Sequence, residues 1–162
     1  MKKNNGLQFE ATLALSWVAS NIPLVRMKLA ETGILMPCDE RIDFEEFRIF
    51  NELKSTKDTK FSLSQLKEHQ LQSLYNWHNK FNNSLGLVTI EFRSIHTAYI
   101  IDIETLITLG TDGATTNTIT PGIIEEYDNY KLRHKGNIYV IKKDFLNFLK
   151  KACIRKKLKE RL

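Results

Sequence analysis

Glu52 and Lys54 stand two residues apart in the run Asn51-Glu52-Leu53-Lys54-Ser55-Thr56. On a β-strand that spacing puts both side chains on one face, where a carboxylate and an ammonium can approach the same phosphate. The residues before them read as two strands over 34–54 joined by a hairpin. Its reversal falls at Glu45-Glu46, the polar break between Ile42, Phe44 and the run Phe47, Ile49, Phe50. No glycine marks the turn, so its type is open. A reversal centred there sets Asp39 opposite Glu52, because the two are equidistant from it. Paired carboxylates repel each other and favour a hard divalent cation such as Mg²⁺. Such an ion can generate a hydroxide nucleophile and stabilise charge on a phosphodiester, while Lys54 positions the nucleophile or the phosphate. Asp43 shares the parity of Asp39 but would reach Glu52 only across a turn at Phe47-Arg48, a poorer turn, so it ranks second.

A carboxylate and a lysine at this spacing are, taken alone, an ordinary solvated pair. Their neighbours add weight: Lys57, Lys60 and then Lys67-Glu68-His69-Gln70 carry a polar, basic series into the next element. That element reads as a helix capped by Ser62 or Ser64 and running to Asn82, with the stripe Leu63, Leu66, Gln70, Leu74, Trp77, Phe81. Gln70 is the polar member of the stripe. It is either a satisfied buried amide or a group reaching into the site, and the pattern leaves both open. His69 lies one residue off the stripe and suits a helix surface or a DNA contact, whereas His78, His96 and His134 show no ligand spacing. Glu10 falls in the first turn of a helix over 6–20, where an acidic side chain complements the helix dipole.

The elements that must position these residues follow in order. The first helix closes at Pro23, residues 24–29 (LVRMKL) alternate as a strand, and Glu31-Thr32-Gly33 is a turn. After the hairpin and the second helix, residues 87–92 (LVTIEF) and 97–103 (TAYIIDI) form another hairpin around Arg93-Ser94-Ile95-His96, and 104–109 fit a short helix. Residues 110–122 (GTDGATTNTITPG) have the composition of a loop or linker. A hairpin turning at Lys135-Gly136-Asn137 and a helix from Asp144 complete the chain. The expected architecture is α/β, a mixed sheet flanked by helices. A core over 1–109 is joined by 110–122 to a small C-terminal appendage over 123–162, a hairpin and basic helix packed on that core.

At 162 residues and 42% apolar the chain suits one packed domain and excludes a disordered tail protein. No uninterrupted apolar run could cross a membrane, and the opening segment lacks a signal-peptide core, so a cytoplasmic location is expected, in a prokaryotic cell or a virus-infected host. Cys38 and Cys153 fit neither a disulfide framework nor a zinc knuckle and are expected to be reduced. The lysines around Cys153 would lower its pKa, but no base pairs with it, and nucleotide-binding glycine loops are absent. The net charge of +5 is a property of the tail: in the last thirteen residues seven cations against Glu160 leave +6, so the rest carries −1.

These elements together resemble the archaeal and viral Hjc-type Holliday junction resolvases and their bacterial RecU-type relatives, within the PD-(D/E)XK nucleases. Residues 6–10 resemble the family's opening G-x-x-x-E, Pro37-Cys38-Asp39 its P-D element with one residue inserted, and Glu52-Leu53-Lys54-Ser55-Thr56 its E-x-K-S-T. Lys67-Glu68-His69-Gln70 is similar to the K-E-H-Q that opens its next helix, and the step from Asp39 to Glu52 matches its spacing. The resemblance covers residues 6–104. It implies a restriction-endonuclease-like fold and a Mg²⁺-dependent nuclease, with Mn²⁺ as a substitute, that nicks four-way DNA junctions symmetrically as a C2 homodimer. It also implies a catalytic set of Glu10, Asp39, Glu52 and Lys54, the metal being held by Asp39, Glu52 and Glu10. DNA contacts are then expected at Ser55, Lys57, Lys60, His69 and Gln70, and from the tail at Lys156 and Lys157. The rivals are an inactive DNA-binding protein of the same fold and a restriction or repair enzyme that prefers linear duplex.

Overall fold

The computed structural model of the chain describes residues 5–26, 38–112 and 117–159. Helix α1 (Asn5–Ala19) leads into strands β1 (Leu24–Arg26), β2 (Glu40–Phe44) and β3 (Phe47–Thr56). Next come a short strand β4 (Phe61–Ser62), a 3-10 turn over Leu63–Gln65, and helix α2 (Glu68–His78). Strands β5 (Ser84–Phe92) and β6 (Thr97–Asp102) precede helix α3 (Ile103–Asp112), strand β7 (Thr118–Ile119) and helix α4 (Pro121–Glu125). Strands β8 (Tyr130–Lys135) and β9 (Ile138–Val140) and helix α5 (Asp144–Lys159) complete the described chain. The turn expected at Glu31-Thr32-Gly33 lies outside the described residues, as do Pro37 and the beginning of the first strand of the expected hairpin. Among the described residues no helix is long and apolar enough to cross a membrane.

Seven strands form one sheet in the order β1-β2-β3-β5-β6-β8-β9. Only β3 and β5 run parallel, their crossover carrying α2, and every other neighbouring pair is antiparallel. The sheet is therefore mixed and covered on both faces, in agreement with the expected α/β architecture. One face buries Ile49, Leu53, Leu87, Ile100 and Leu132 against Trp17 of α1 and Phe145 and Leu149 of α5. The other buries Val88, Ile90, Tyr99 and Ile101 against Leu74, Leu106 and Ile124 of α2, α3 and α4. All nine residues of β5 are buried, as a strand in the middle of a two-faced sheet must be.

The first hairpin turns where the polar break predicts. Phe44 pairs with Phe47, leaving Glu45-Glu46 as the turn, and Glu45 takes φ 53°, the left-handed conformation of a two-residue hairpin loop. Pairing runs back to Glu40 opposite Asn51, so the next step of the register sets Asp39 against Glu52.

Helix α2 departs from expectation at both ends. Neither Ser62 nor Ser64 caps it: Phe61 and Ser62 pair with Ile119 and Thr118, and Leu63 N–H donates to Asn117 O. The helix begins instead at Glu68, and Gln70 Oε1 accepts from the Lys67 N–H, one of the donors a helix start leaves over. It ends at His78 rather than Asn82. Its packing on β5 requires Gly86, where a Cβ would come within 2.4 Å of Leu74 O. The stretch expected to be a linker is used structurally: α3 extends into it to Asp112, and Thr118–Ile119 is the strand that pairs with β4. Strand β8 pairs with β6, so the C-terminal hairpin continues the main sheet.

Candidate metal centre

Strand β3 presents Phe50, Glu52 and Lys54 toward α2. Phe50 stacks on Trp77 with ring centroids 3.9 Å apart, which fixes the helix over the strand two turns beyond Gln70. Gln70 then stands over Glu52 and Lys54. Its Nε2 donates to Glu52 Oε1, and its Oε1 accepts from Lys54 Nζ at 3.3 Å. Lys54 Nζ also donates to Glu52 Oε1 at 2.7 Å. One oxygen of Glu52 is thus held by two donors, while Oε2 is buried with no hydrogen-bond partner.

Asp39 sits on the turn of chain just before β2, and its Oδ2 accepts from Leu53 N–H at 2.7 Å. That bond locks the aspartate to the strand that carries Glu52. With Glu52 only 1% exposed, burial pushes its carboxyl up to about 7, and the neighbouring charge of Asp39 adds to the rise against the lowering by Lys54. A buried carboxylate oxygen without a donor, facing a second carboxylate, suits the hard oxygen-ligand chemistry of Mg²⁺.

Beneath this pair lies a buried polar chain that the sequence pattern does not reveal. Glu40 Oε2 accepts from Trp17 Nε1 at 3.2 Å and from Asn51 Nδ2 at 3.1 Å, and Thr89 Oγ1 donates to Asn51 Oδ1 at 2.8 Å. These bonds tie α1, β2, β3 and β5 together one residue away from Asp39 and Glu52. The one local clue is Glu40 itself, alternating with Ile42 on the buried side of β2. Cys38 also packs here, with its thiol on Glu40 O and its pKa raised by burial to about 12.

Glu10 lies on α1. Phe9, beside it, meets Tyr139 edge to face, and the Tyr139 hydroxyl donates to Glu91, which also accepts from Ser55. The first turns of α1 therefore lie toward the end of the sheet where β3 finishes. Among the described residues no three Asp, Glu, His or Cys side chains are grouped closely enough to hold one cation, so Glu10 is not gathered with Asp39 and Glu52. Asp43 is exposed, its carboxylate accepts from Arg41, and its backbone lies opposite Arg48 across the hairpin, so the geometry does not bring the second-ranked aspartate to Glu52.

The expected DNA contacts divide. Lys57, Lys60 and Lys157 are exposed, and His69 is half-buried at the start of α2. Ser55 Oγ is engaged at 2.6 Å by Glu91, and Gln70 by Glu52 and Lys54. Lys156 is a correction: it is 1% exposed, and its ammonium donates to the carbonyls of His78, Phe81 and Ser84. It anchors α5 to the end of α2 and offers no charge to a ligand. Arg155 is likewise turned inward to Asp102 and Asp128. Cys153 is a second correction, since burial outweighs the nearby lysines and raises its pKa. Both cysteines are free. His78 has a structural place: it is buried, its Nδ1 accepts from Gly86 N–H, and burial pulls its pKa down to about 4.

No curated protein matches the sequence significantly. Among solved structures the fold is similar to that of Hjc, a Holliday junction resolvase from the archaeal hyperthermophile Archaeoglobus fulgidus. The TM-score is 0.56 at 16% identity, covering 75% of this chain and 93% of that one. This likeness gives the sheet and its helices the restriction-endonuclease-like fold. The family model for recombination protein U matches residues 44–151, a span that includes Glu52, Lys54, Gln70 and the C-terminal hairpin. By that match over two thirds of its length, the chain belongs to the recombination protein U family of Holliday junction resolvases.

Proposed function

We propose that this chain resolves four-way DNA junctions by Mg²⁺-dependent hydrolysis of phosphodiesters, nicking two strands symmetrically. The observation that carries the reading is the pair Asp39 and Glu52, locked by the Leu53 N–H bond, with Glu52 Oε2 buried and lacking a donor. Asp39 and Glu52, with the Leu53 carbonyl, would hold the cation. Bound there, Mg²⁺, or Mn²⁺ in its place, supplies a Lewis acid and an acidified water. Gln70 keeps Glu52 Oε1 occupied, so that Oε2 is the oxygen presented. Lys54, 19% exposed at its side chain, can swing from Glu52 to orient the attacking water or to meet charge developing on the phosphate. Glu10, which is not gathered with the two carboxylates, would act through a water. Lys57 and Lys60 would take backbone phosphates beyond the scissile one, with His69 and Lys157 at the margins. Symmetric nicking needs two such sites related by a two-fold axis, so the working form is a C2 homodimer.

Cleavage of a four-way junction and of linear duplex, each with and without Mg²⁺, tests the reading. The expected result is metal-dependent paired nicks on the junction. Asp39→Asn and Glu52→Gln should each abolish cleavage while leaving junction binding largely intact. Preference for linear duplex would make this a restriction or repair enzyme, binding without cleavage a DNA-binding protein, and full activity in both variants would remove the metal assignment.

A further inference from the structure

The end of the sheet at which β3 finishes gathers cations from three segments far apart in sequence. Thr56, the last residue of β3, pairs with Phe92, the last of β5, and Arg93 Nε reaches back to Thr56 O at 3.4 Å. The β5–β6 turn brings Thr97 beside Arg133 of β8, and the rings of His96 and His134 lie 6.1 Å apart, edge to face. Strand β8 is antiparallel to β6, which is antiparallel to β5, so the β8–β9 turn projects at the same end as Lys57 and Lys60. Gly136 makes that turn at φ 65°.

Residues 56–60, 92–97 and 133–138 thereby line one rim. They contribute Lys57, Lys60, Arg93, Arg133 and Lys135 against a single acidic residue, Asp58. All five cations are exposed except Arg93, which is half-exposed. The carboxylate near Arg133 on the neighbouring helix, Glu125, is already engaged by Tyr99 and Lys131. After Lys131 and Tyr99, Arg133 adds to the field that lowers the Glu125 carboxyl, but among the described residues neither Arg133 nor Lys135 forms a salt bridge, and both stay exposed to an outside partner. A rim in which five cations stand against one acidic residue, continuous with the proposed phosphodiesterase site, is complementary to a phosphate backbone.

We infer that the β8–β9 hairpin, through Arg133 and Lys135 with Arg93 beside them, is a second DNA-backbone contact that holds the substrate beyond the scissile phosphate. Three strand spacings of ~4.8 Å separate β3 from β8, about 14 Å, or roughly four steps of 3.4 Å along one strand. The hairpin contact therefore falls about four phosphates from the cleaved bond and fixes the direction in which the arm leaves the site. This inference rests on the reading of the chain as a junction-cleaving enzyme and assigns residues 130–140 their part in it.

The test measures affinity of the full-length protein for a four-way junction in EDTA over a salt series, so that no cleavage intervenes. Arg133→Ala/Lys135→Ala should make the slope of log affinity against log salt shallower by about 2, at ~0.9 for each phosphate that is no longer neutralised. Lys80→Ala/Lys143→Ala removes two exposed cations from the opposite end of the sheet and should leave the slope unchanged. Phosphate-ethylation interference should lose its signal about four steps from the cleavage site in the hairpin variant alone. Lys135→Glu, at the exposed end of β8, should weaken binding further than Lys135→Ala without altering the thermal midpoint, which separates charge from folding. An unchanged slope in the hairpin variant, or an equal drop in the control pair, overturns the inference while wild-type junction binding and cleavage stand. Absence of junction binding by the wild type overturns the functional reading and the hairpin contact with it.

Discussion

Glu52→Gln should stabilise the metal-free protein at alkaline pH while removing a proposed metal ligand. The Glu52 carboxyl is raised from its ordinary 4.5 to about 7, first by burial and then by Asp39, even with Lys54 and Gln70 on its other oxygen. The folded state therefore holds this proton more tightly than the unfolded chain does. Between pH 4.5 and 7 the folded form binds more protons, so stability falls as pH rises through that window and the loss is complete above it. At 1.36 kcal/mol per pH unit the deficit is about 3 kcal/mol at pH 8. Glutamine imitates the protonated acid in shape and charge and removes the deficit. Its melting temperature in EDTA at pH 8 should exceed that of wild type by roughly 6 to 12 °C for a chain of this size. The gap should shrink to about a quarter of that value by pH 5 and close near pH 4, where the carboxyl is protonated in the folded and the unfolded chain alike. Added Mg²⁺ should raise the wild-type midpoint at pH 8 and leave Glu52→Gln unmoved, since a ligand stabilises only the form that binds it. Differential scanning calorimetry over pH 4 to 8, with and without Mg²⁺, reads all three effects. A Glu52→Gln protein no more stable than wild type at pH 8, or a gap independent of pH, would refute the claim that this carboxylate is held charged at a cost.

Two further variants separate chemistry from architecture. Lys54→Ala should slow single-turnover cleavage at saturating enzyme by a factor on the order of 10² to 10³ with little change in affinity, and Lys54→Arg should recover little of it, because a planar fork cannot replace a compact ammonium between Glu52 and Gln70. A normal rate at saturation would make Lys54 a DNA contact only. Lys156→Met should cost about 2 to 4 kcal/mol of stability by leaving the carbonyls of His78, Phe81 and Ser84 without their charged donor, yet leave the salt slope of DNA binding unchanged, as urea unfolding and junction titration would show. A shallower slope with normal stability would return Lys156 to the DNA surface.

The local grammar of the chain reaches the hairpin register because everything that sets it is short-range. Two glutamates break two apolar runs, and counting outward from them pairs Asp39 with Glu52. Gln70 is legible as an anomaly, the one amide on an apolar stripe, although the stripe alone cannot say whether it faces a core or a site. What stays hidden depends on partners far along the chain. Ser62 and Ser64 look like helix caps, but the backbone at Phe61 and Ser62 is taken by residues 118 and 119, more than fifty positions away. The tail's charge gives each lysine the same appearance. Lys156 differs only because three carbonyls 72 to 78 residues earlier converge on its ammonium. Arg93 and Arg133 carry no local signal at all, since only the strand order β5-β6-β8 makes them neighbours.

These long-range partners also tie the C-terminal segment to the helix that carries Gln70, although it supplies none of the proposed metal ligands. Helix α2 is held at both ends by residues beyond 112. At its entry, β7 pairs with β4 and Asn117 O accepts from Leu63 N–H, which spends residues 61–66 on a ribbon and a 3-10 turn and starts the helix at Glu68. At its exit, Lys156 of α5 holds the carbonyls of His78 and Phe81. A helix turns about 100° per residue, so its starting point sets which side chain hangs over β3. With the start fixed at Glu68, Gln70 reaches Glu52 Oε1 and Lys54 Nζ while also accepting from the Lys67 N–H. The order of contacts runs from β7 and Lys156 to α2, from α2 to Gln70, and from Gln70 to Glu52, whose other oxygen is buried without a hydrogen-bond partner. Loosening either end of α2 would withdraw Gln70 and leave Lys54 alone on Glu52 Oε1, so the folded C-terminal segment would act on the proposed site through position alone.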